Sequence, residues 1–196
     1  MKSYLPKKRL AMLASGSGTN VANFIRFFKE HPVIEIALVV SNNPDALVLS
    51  KAAKEGVPHL VIRNDQWNDK DLVMGIFTER RIDFVVLAGF LLLVPAFFIE
   101  HYKNRIVNIH PALLPAYGGK GMYGMRVHQA VIQAGDTKSG ITIHHVNERY
   151  DEGEVICRYT LDIDKGETPE SLARKIHQLE YDHYPEVVEK LIRSFD

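Results

Sequence analysis

At 196 residues, 46% of them hydrophobic, the chain is long enough to bury one sizeable core and reads as a single domain over 1–196. Lysine plus arginine and aspartate plus glutamate both number 24, for a formal net charge of zero, so no overall field exists to hold nucleic acid or an anionic membrane, and any anion must be bound locally. Cys157 is the only cysteine, which excludes an intramolecular disulfide and a multi-cysteine zinc site and fits a reducing, cytoplasmic setting.

The opening MKSYLPKKRLAMLASGSG sets basic residues ahead of an apolar run, in the order of a secretory signal, but the run at 10–14 is too short for that role. No stretch approaches the roughly 20 apolar residues of a membrane helix. The longest candidate, FVVLAGFLLLVPAFFI, is cut by Gly89 and Pro95 and reads as a buried strand running into a loop and a helix. Short β-rich runs at 9–14, 34–40, 59–63, 84–88 and 106–109, apolar on both faces, alternate with segments of helical spacing. This pattern predicts an α/β fold: a Rossmann-like, mostly parallel sheet with helices on both faces and right-handed connections.

The first run ends in SGSG, which puts Gly16 and Gly18 between strand and helix. Their backbone N–H groups, with those that open the helix, suit a phosphate. A dinucleotide fingerprint fits poorly. Its third glycine is replaced by Val21, and the second strand ends in Ser41, Asn42 and Asn43 rather than a ribose-binding acid. The plainer alternative is a tight βα turn, with Thr19 or Asn20 capping the helix.

The fifth run ends in NIHP. Side chains alternate along a strand, so Asn108 and His110 emerge on one face at a carboxyl end, where open α/β sheets place ligands, and Pro111 biases His110 toward an extended backbone. Asparagine offers an uncharged donor suited to an oxyanion, and histidine exchanges a proton near neutral pH. Together they form the polar half of an acyl-transfer site that lacks a nucleophilic serine or cysteine; the competing reading is a structural histidine at a strand end. Beyond lies the glycine-rich AYGGKGMYGMRVH, then a helix over 125–134. GITIHHV and GEVICRYTLDI follow as two strands flanking the tight NERYDE loop. His144 and His145 point to opposite faces of a strand, and no metal requirement is expected. From Thr168, T-P-E-S opens a long helix in which Pro185 permits a kink or break.

With LASGSGTN, VVLAGF, NIHPALLP, H-Q-A-V, SGITIHHVNERYDEG and HQLEYDHYP all in place, the chain resembles, along essentially its whole length, the folate-dependent phosphoribosylglycinamide formyltransferase family of purine biosynthesis. NIHPALLP with the later D-x-G is specific to enzymes that handle folate formyl groups, and SGSGTN narrows the match to the glycinamide ribonucleotide branch. The resemblance implies transfer of the formyl group from 10-formyltetrahydrofolate, a co-substrate, to the amine of glycinamide ribonucleotide, without an acyl-enzyme. It implies that Asn108 and His110 stabilise the tetrahedral oxyanion and that His110 is the acid that helps the folate nitrogen leave. Asp151 would hold His110 and favour its charged form.

By the same matching, Ser17, Gly18, Thr19 and Asn20 take the phosphate and ribose end of the acceptor. Glu180 takes its sugar or glycinamide portion, against the plain reading of one more charge on a solvated helix face. Lys70, the apolar slot of Leu91, Leu92, Leu93 and Val94, and the loop of Asn147, Glu148, Arg149, Tyr150 and Asp151 match the folate pocket, with Asn108 beside it. Core packing is the alternative for 91–94, and both readings are compatible. Two features depart from the family pattern. FLLLVPAF lacks the basic or polar residue that many relatives carry after A-G-F and is one residue shorter before the proline. AYGGKGMYGMRVH is longer than the usual link, and a glycine-rich loop of that length is expected to serve as a flap over the substrates.

A formyltetrahydrofolate deformylase, in which water attacks, shares the Asn, His and Asp, but those relatives usually carry an N-terminal regulatory domain that does not fit before Arg9. Methionyl-tRNA formyltransferase is disfavoured by the lack of a basic excess and of a C-terminal RNA-binding domain. A non-catalytic nucleotide- or folate-binding module has no need of the three polar residues together. The expected partners are small-molecule substrates, with no nucleic acid and no membrane, for a monomer or homodimer.

Overall fold

The computed structural model describes residues 6–195; residues 1–5, where the basic leader-like stretch begins, and Asp196 lie outside the described residues. The elements run β1 (Lys8–Leu13), α1 (Thr19–Phe28), β2 (Ile34–Ser41), α2 (Leu47–Lys54), β3 (His59–Val61), α3 (Lys70–Glu79), β4 (Phe84–Leu87), α4 (Ala96–His101), β5 (Ile106–His110), α5 (Met125–Ala134), β6 (Lys138–His145), β7 (Val155–Asp162) and α6 (Pro169–Arg193). They build one seven-stranded sheet in the order β3-β2-β1-β4-β5-β6-β7. The first five strands are parallel, β6 pairs antiparallel with β5, and β7 pairs antiparallel with β6, so the sheet is mostly parallel as expected. No helix of the described residues is long and apolar enough to cross a membrane.

Runs that are apolar on both faces serve two cores. Leu10 and Met12 of β1, with Phe84 and Val86 of β4, join one core under α1, α5 and α6. The alternate residues, Ala11, Leu13, Val85 and Leu87, join the other, built around Trp67, Phe77 and Phe98 under α3 and α4. Alternation with period two makes this double coverage possible.

The ends of α1 and α6 show how backbone chemistry sets the site. Neither Thr19 nor Asn20 caps α1; the N-cap is Gly18, in the left-handed region at φ 65°, with no side-chain cap. A Cβ there would also lie 2.4 Å from Val48 Cγ2, so both conformation and close approach require glycine. α6 opens with a capping box between Thr168 and Ser171 and has Pro169 in its first turn. It continues as one helix through Pro185, so the break that this proline permits does not occur. The ring removes the N–H that would have bonded to the carbonyl of Tyr181, and Asn23 Nδ2 donates to that carbonyl instead, at 2.9 Å. Nearby, the buried Tyr184 hydroxyl donates to Leu87 O at 2.9 Å, which fixes the helix over the end of β4.

Candidate active site

Strand order reverses direction between β1 and β4, and a cleft forms there at the carboxyl ends of the strands. Ser15 ties this point together: its hydroxyl donates to Asn42 Oδ1 beyond β2 at 2.6 Å and accepts from Leu91 N beyond β4 at 2.9 Å. The cleft has a volume of about 560 Å³. Ser17, Gly18, Thr19 and Asn20 line one end, Glu180 lies on its wall, and Asn108, His110 and Asp151 line another part. The uncapped start of α1 leaves backbone N–H groups for an anion at the first end.

The polar cluster is built by register. β5 and β6 pair antiparallel with Asn108 opposite His144 and His110 opposite Thr142, so the side chains of each pair project to one face. Asn108 Nδ2 lies 3.1 Å from His144 Nε2 and 3.4 Å from Asp151 Oδ1. His110 Nδ1 lies 3.4 Å from Asp151 Oδ2, and His144 Nε2 lies 3.7 Å from Asp151 Oδ1. Asp151 sits in the left-handed region at φ 59°, a conformation aspartate tolerates better than most residues. The glycine of D-x-G also has a steric reason: a Cβ at Gly153 would fall 1.7 Å from the carbonyl oxygen of His145.

Carbonyl partners settle where the ring protons sit. His110 Nε2 faces Tyr117 O at 2.7 Å and His144 Nδ1 faces His145 O at 2.8 Å. A carbonyl only accepts, so both of these nitrogens carry hydrogen. In a neutral His110, Nδ1 is then a lone pair turned toward the carboxylate, and a second proton would enter between them. Burial lowers the His110 pKa, and this outweighs the upward pull of Asp151 and of the Tyr117 carbonyl. Asp151 thus favours the charged form of His110, as expected, and desolvation outweighs that pull. For Asp151, burial pushes the pKa up, yet the nearby His144, the charge of His110 and the N–H of Gly119 together bring it below the usual aspartate value.

Two features of the site carry little signal in the sequence read alone. One is His144, which sits at the centre of the cluster and is recognisable only once β6 is known to pair antiparallel with β5. The other is the glycine-rich loop, which folds into the cluster through its backbone: Tyr117 O accepts from His110, and Gly119 N donates to Asp151 Oδ2 at 2.9 Å. The loop also brings Lys120 to the wall of the cleft, with Arg126 just inside α5.

The remaining anticipated residues are more scattered. Leu91 and Tyr150 line the cleft, whereas Lys70, Leu92, Leu93, Val94, Asn147, Glu148 and Arg149 lie outside its lining. Val94 is buried in the core around Trp67, and Leu92 packs against that core. Leu93 is 42% exposed. Lys70 begins α3, Asn147 Oδ1 accepts from Arg149 N, and Arg149 pairs with Glu152 at the surface. Glu180 is 6% exposed, which rules out a solvated helix face. Burial raises its pKa to about 7, against a partial downward pull from Asn20, whose Nδ2 donates to it at 2.8 Å.

Residues 8–188 match the sequence profile of the formyl transferase family. The chain is 38% identical over 189 residues to the chloroplastic phosphoribosylglycinamide formyltransferase of Arabidopsis thaliana, covering 93% of this chain and 64% of that protein. It thus spans less than two thirds of the length of that curated relative. Among solved structures, phosphoribosylglycinamide formyltransferase from Bacillus halodurans superposes with a TM-score of 0.86 at 34% identity, over 96% of this chain and 97% of that one. Glycinamide ribonucleotide transformylase 1 from Geobacillus kaustophilus superposes with a TM-score of 0.84 at 36% identity, over 94% and 98%.

Proposed function

The chain belongs to the formyl transferase family, and from that premise we propose that it transfers the formyl group of 10-formyltetrahydrofolate to the amine of glycinamide ribonucleotide, a step of purine biosynthesis. The observation that carries this reading is the gathering of Asn108, His110 and Asp151, backed by His144, in one cleft with the uncapped, glycine-built start of α1.

In this reading the acceptor's phosphate lies against Ser17, Gly18, Thr19 and Asn20, with Lys120 and Arg126 supplying the cations that the turn itself lacks. Glu180 takes the sugar or glycinamide portion. The folate lies against Leu91, Tyr150 and Asp151 on the cleft wall, with Leu93, Asn147, Glu148, Arg149 and Lys70 completing its site beyond that wall and Leu92 and Val94 contributing through the core packing that holds the segment. The amine attacks the formyl carbon, a C–N bond forms, and the carbonyl oxygen becomes an oxyanion. Asn108 Nδ2 is its donor. The contact from that nitrogen to Asp151, 3.4 Å long, is the weaker of its two and the one exchanged for the oxyanion. The amine proton passes to the Asp151 carboxylate or a bound water. Relayed from Asp151 to the Nδ1 lone pair of His110, a proton goes on to the folate nitrogen as its bond to carbon breaks, releasing tetrahydrofolate.

Incubation with 10-formyltetrahydrofolate, with and without glycinamide ribonucleotide, tests the reading. Tetrahydrofolate release that depends on the acceptor supports it. Equal release without the acceptor identifies a deformylase.

A further inference from the structure

One end of the cleft is walled by Asn20 of α1, His128 of α5, and His177 and Glu180 of α6. His128 is 2% exposed, and its Nδ1 is buried without a hydrogen-bond partner among the described residues; Asn20 Oδ1 is in the same position. Interiors leave few polar atoms unpaired, and two at the wall of one cleft mark a place where a bound group completes them.

The chemistry of that group follows from what each atom offers. Asn20 Nδ2 is committed to Glu180, so Asn20 Oδ1 is left as a buried acceptor without a donor. Burial, with the charges of His177 and His110, lowers the His128 pKa to about 4, so at neutral pH its ring is uncharged and has one donor and one acceptor nitrogen. A phosphate or carboxylate brings no proton for Asn20 and is repelled by an ionised Glu180. An ammonium donates but cannot accept. A hydroxyl does both, and neighbouring hydroxyls on one sugar ring meet several such groups at once.

We propose that His128, together with Asn20, binds the ribose hydroxyls of the acceptor substrate and so fixes the sugar that carries the amine. This assignment rests on the acceptor being a sugar phosphate, as inferred above, and makes His128 a specificity-determining residue of the acceptor site. It places the sugar between the phosphate at the α1 turn and the amine at the Asn108 cluster.

Calorimetry with ribose 5-phosphate and 2-deoxyribose 5-phosphate, on wild type, His128→Ala and His128→Gln, tests it apart from formyl transfer. Wild type should bind the ribose compound about tenfold more tightly than the deoxy compound. His128→Ala should lose most of that preference, and His128→Gln, which keeps a donor and an acceptor, should recover part of it. In steady-state assays the alanine variant should raise KM for glycinamide ribonucleotide by about tenfold and leave KM for the formyl folate unchanged. Thermal unfolding checks that each variant is folded, and the two sugars compared on wild type and the glutamine variant suffice should the alanine variant unfold. Equal affinity of wild type for the two sugars, or a preference that persists undiminished in a folded His128 variant, overturns the assignment. Sugar binding that behaves as expected in a protein that transfers no formyl group would instead refute only the proposed reaction.

Discussion

Replacing Glu180 with glutamine separates what this carboxylate costs the fold from what it gives the site. Burial raises its pKa to about 7, from the usual 4.5. Between those values the folded protein holds a proton that the unfolded chain has released, so stability falls as pH rises through the window. The whole cost, about 3 kcal/mol, is present above pH 7. Glutamine keeps the volume and offers an uncharged oxygen to Asn20 Nδ2. Glu180→Gln should therefore match wild type near pH 4.5 and exceed it by about 3 kcal/mol near pH 8. The comparison must be a difference between the two proteins, because His128 works in the opposite direction. Its pKa drops from 6.5 to about 4, so its cost appears as pH falls. Subtracting wild type from variant cancels the His128 contribution and leaves that of Glu180. Urea unfolding at about pH 5 and about pH 8 measures it. An equal difference at the two pH values, or a variant weaker than wild type at the higher one, refutes the reasoning. The same variant should bind glycinamide ribonucleotide more weakly, a gain in stability at the expense of function.

Asp151→Asn should slow the chemical step by about 10²-fold or more while leaving both KM values close to wild type; an unchanged single-turnover rate removes Asp151 from the mechanism. Asn108→Ala should cost roughly 10²-fold in kcat, and near-normal turnover by a folded variant contradicts its role as oxyanion donor. Nitrogen NMR of the ligand-free protein at neutral pH should find His110 uncharged with its hydrogen on Nε2, as burial and the Tyr117 carbonyl require; an imidazolium signal would show that the Asp151 carboxylate dominates.

Five parallel strands were legible because a strand buried on both faces is apolar at nearly every position, and 9–14, 34–40 and 84–88 read that way apart from Arg9 and Glu35. The reversal at β6 was not, because the link from β5 contains a helix, as a parallel crossover also would. That reversal hides His144, whose place in the cluster follows only from its register against Asn108. The glycine turn was visible, but its capping was not: Gly18 replaces a side-chain cap because Val48 crowds the position. The part played by the long loop was hidden for a different reason. It reaches His110 and Asp151 through the oxygen of Tyr117 and the nitrogen of Gly119, and backbone atoms leave no side-chain signature. The neighbours of His110 suggest a raised pKa, but its burial is a property of the folded chain alone.

The most direct test is a crystal structure with glycinamide ribonucleotide and an unreactive formyl-folate analogue bound together. The Asp151 carboxylate should stay within hydrogen-bonding reach of His110, with Asn108 Nδ2 directed at the analogue's carbonyl oxygen and the phosphate at the start of α1. A carboxylate turned out to solvent, or a phosphate seated away from Gly18, would contradict the account.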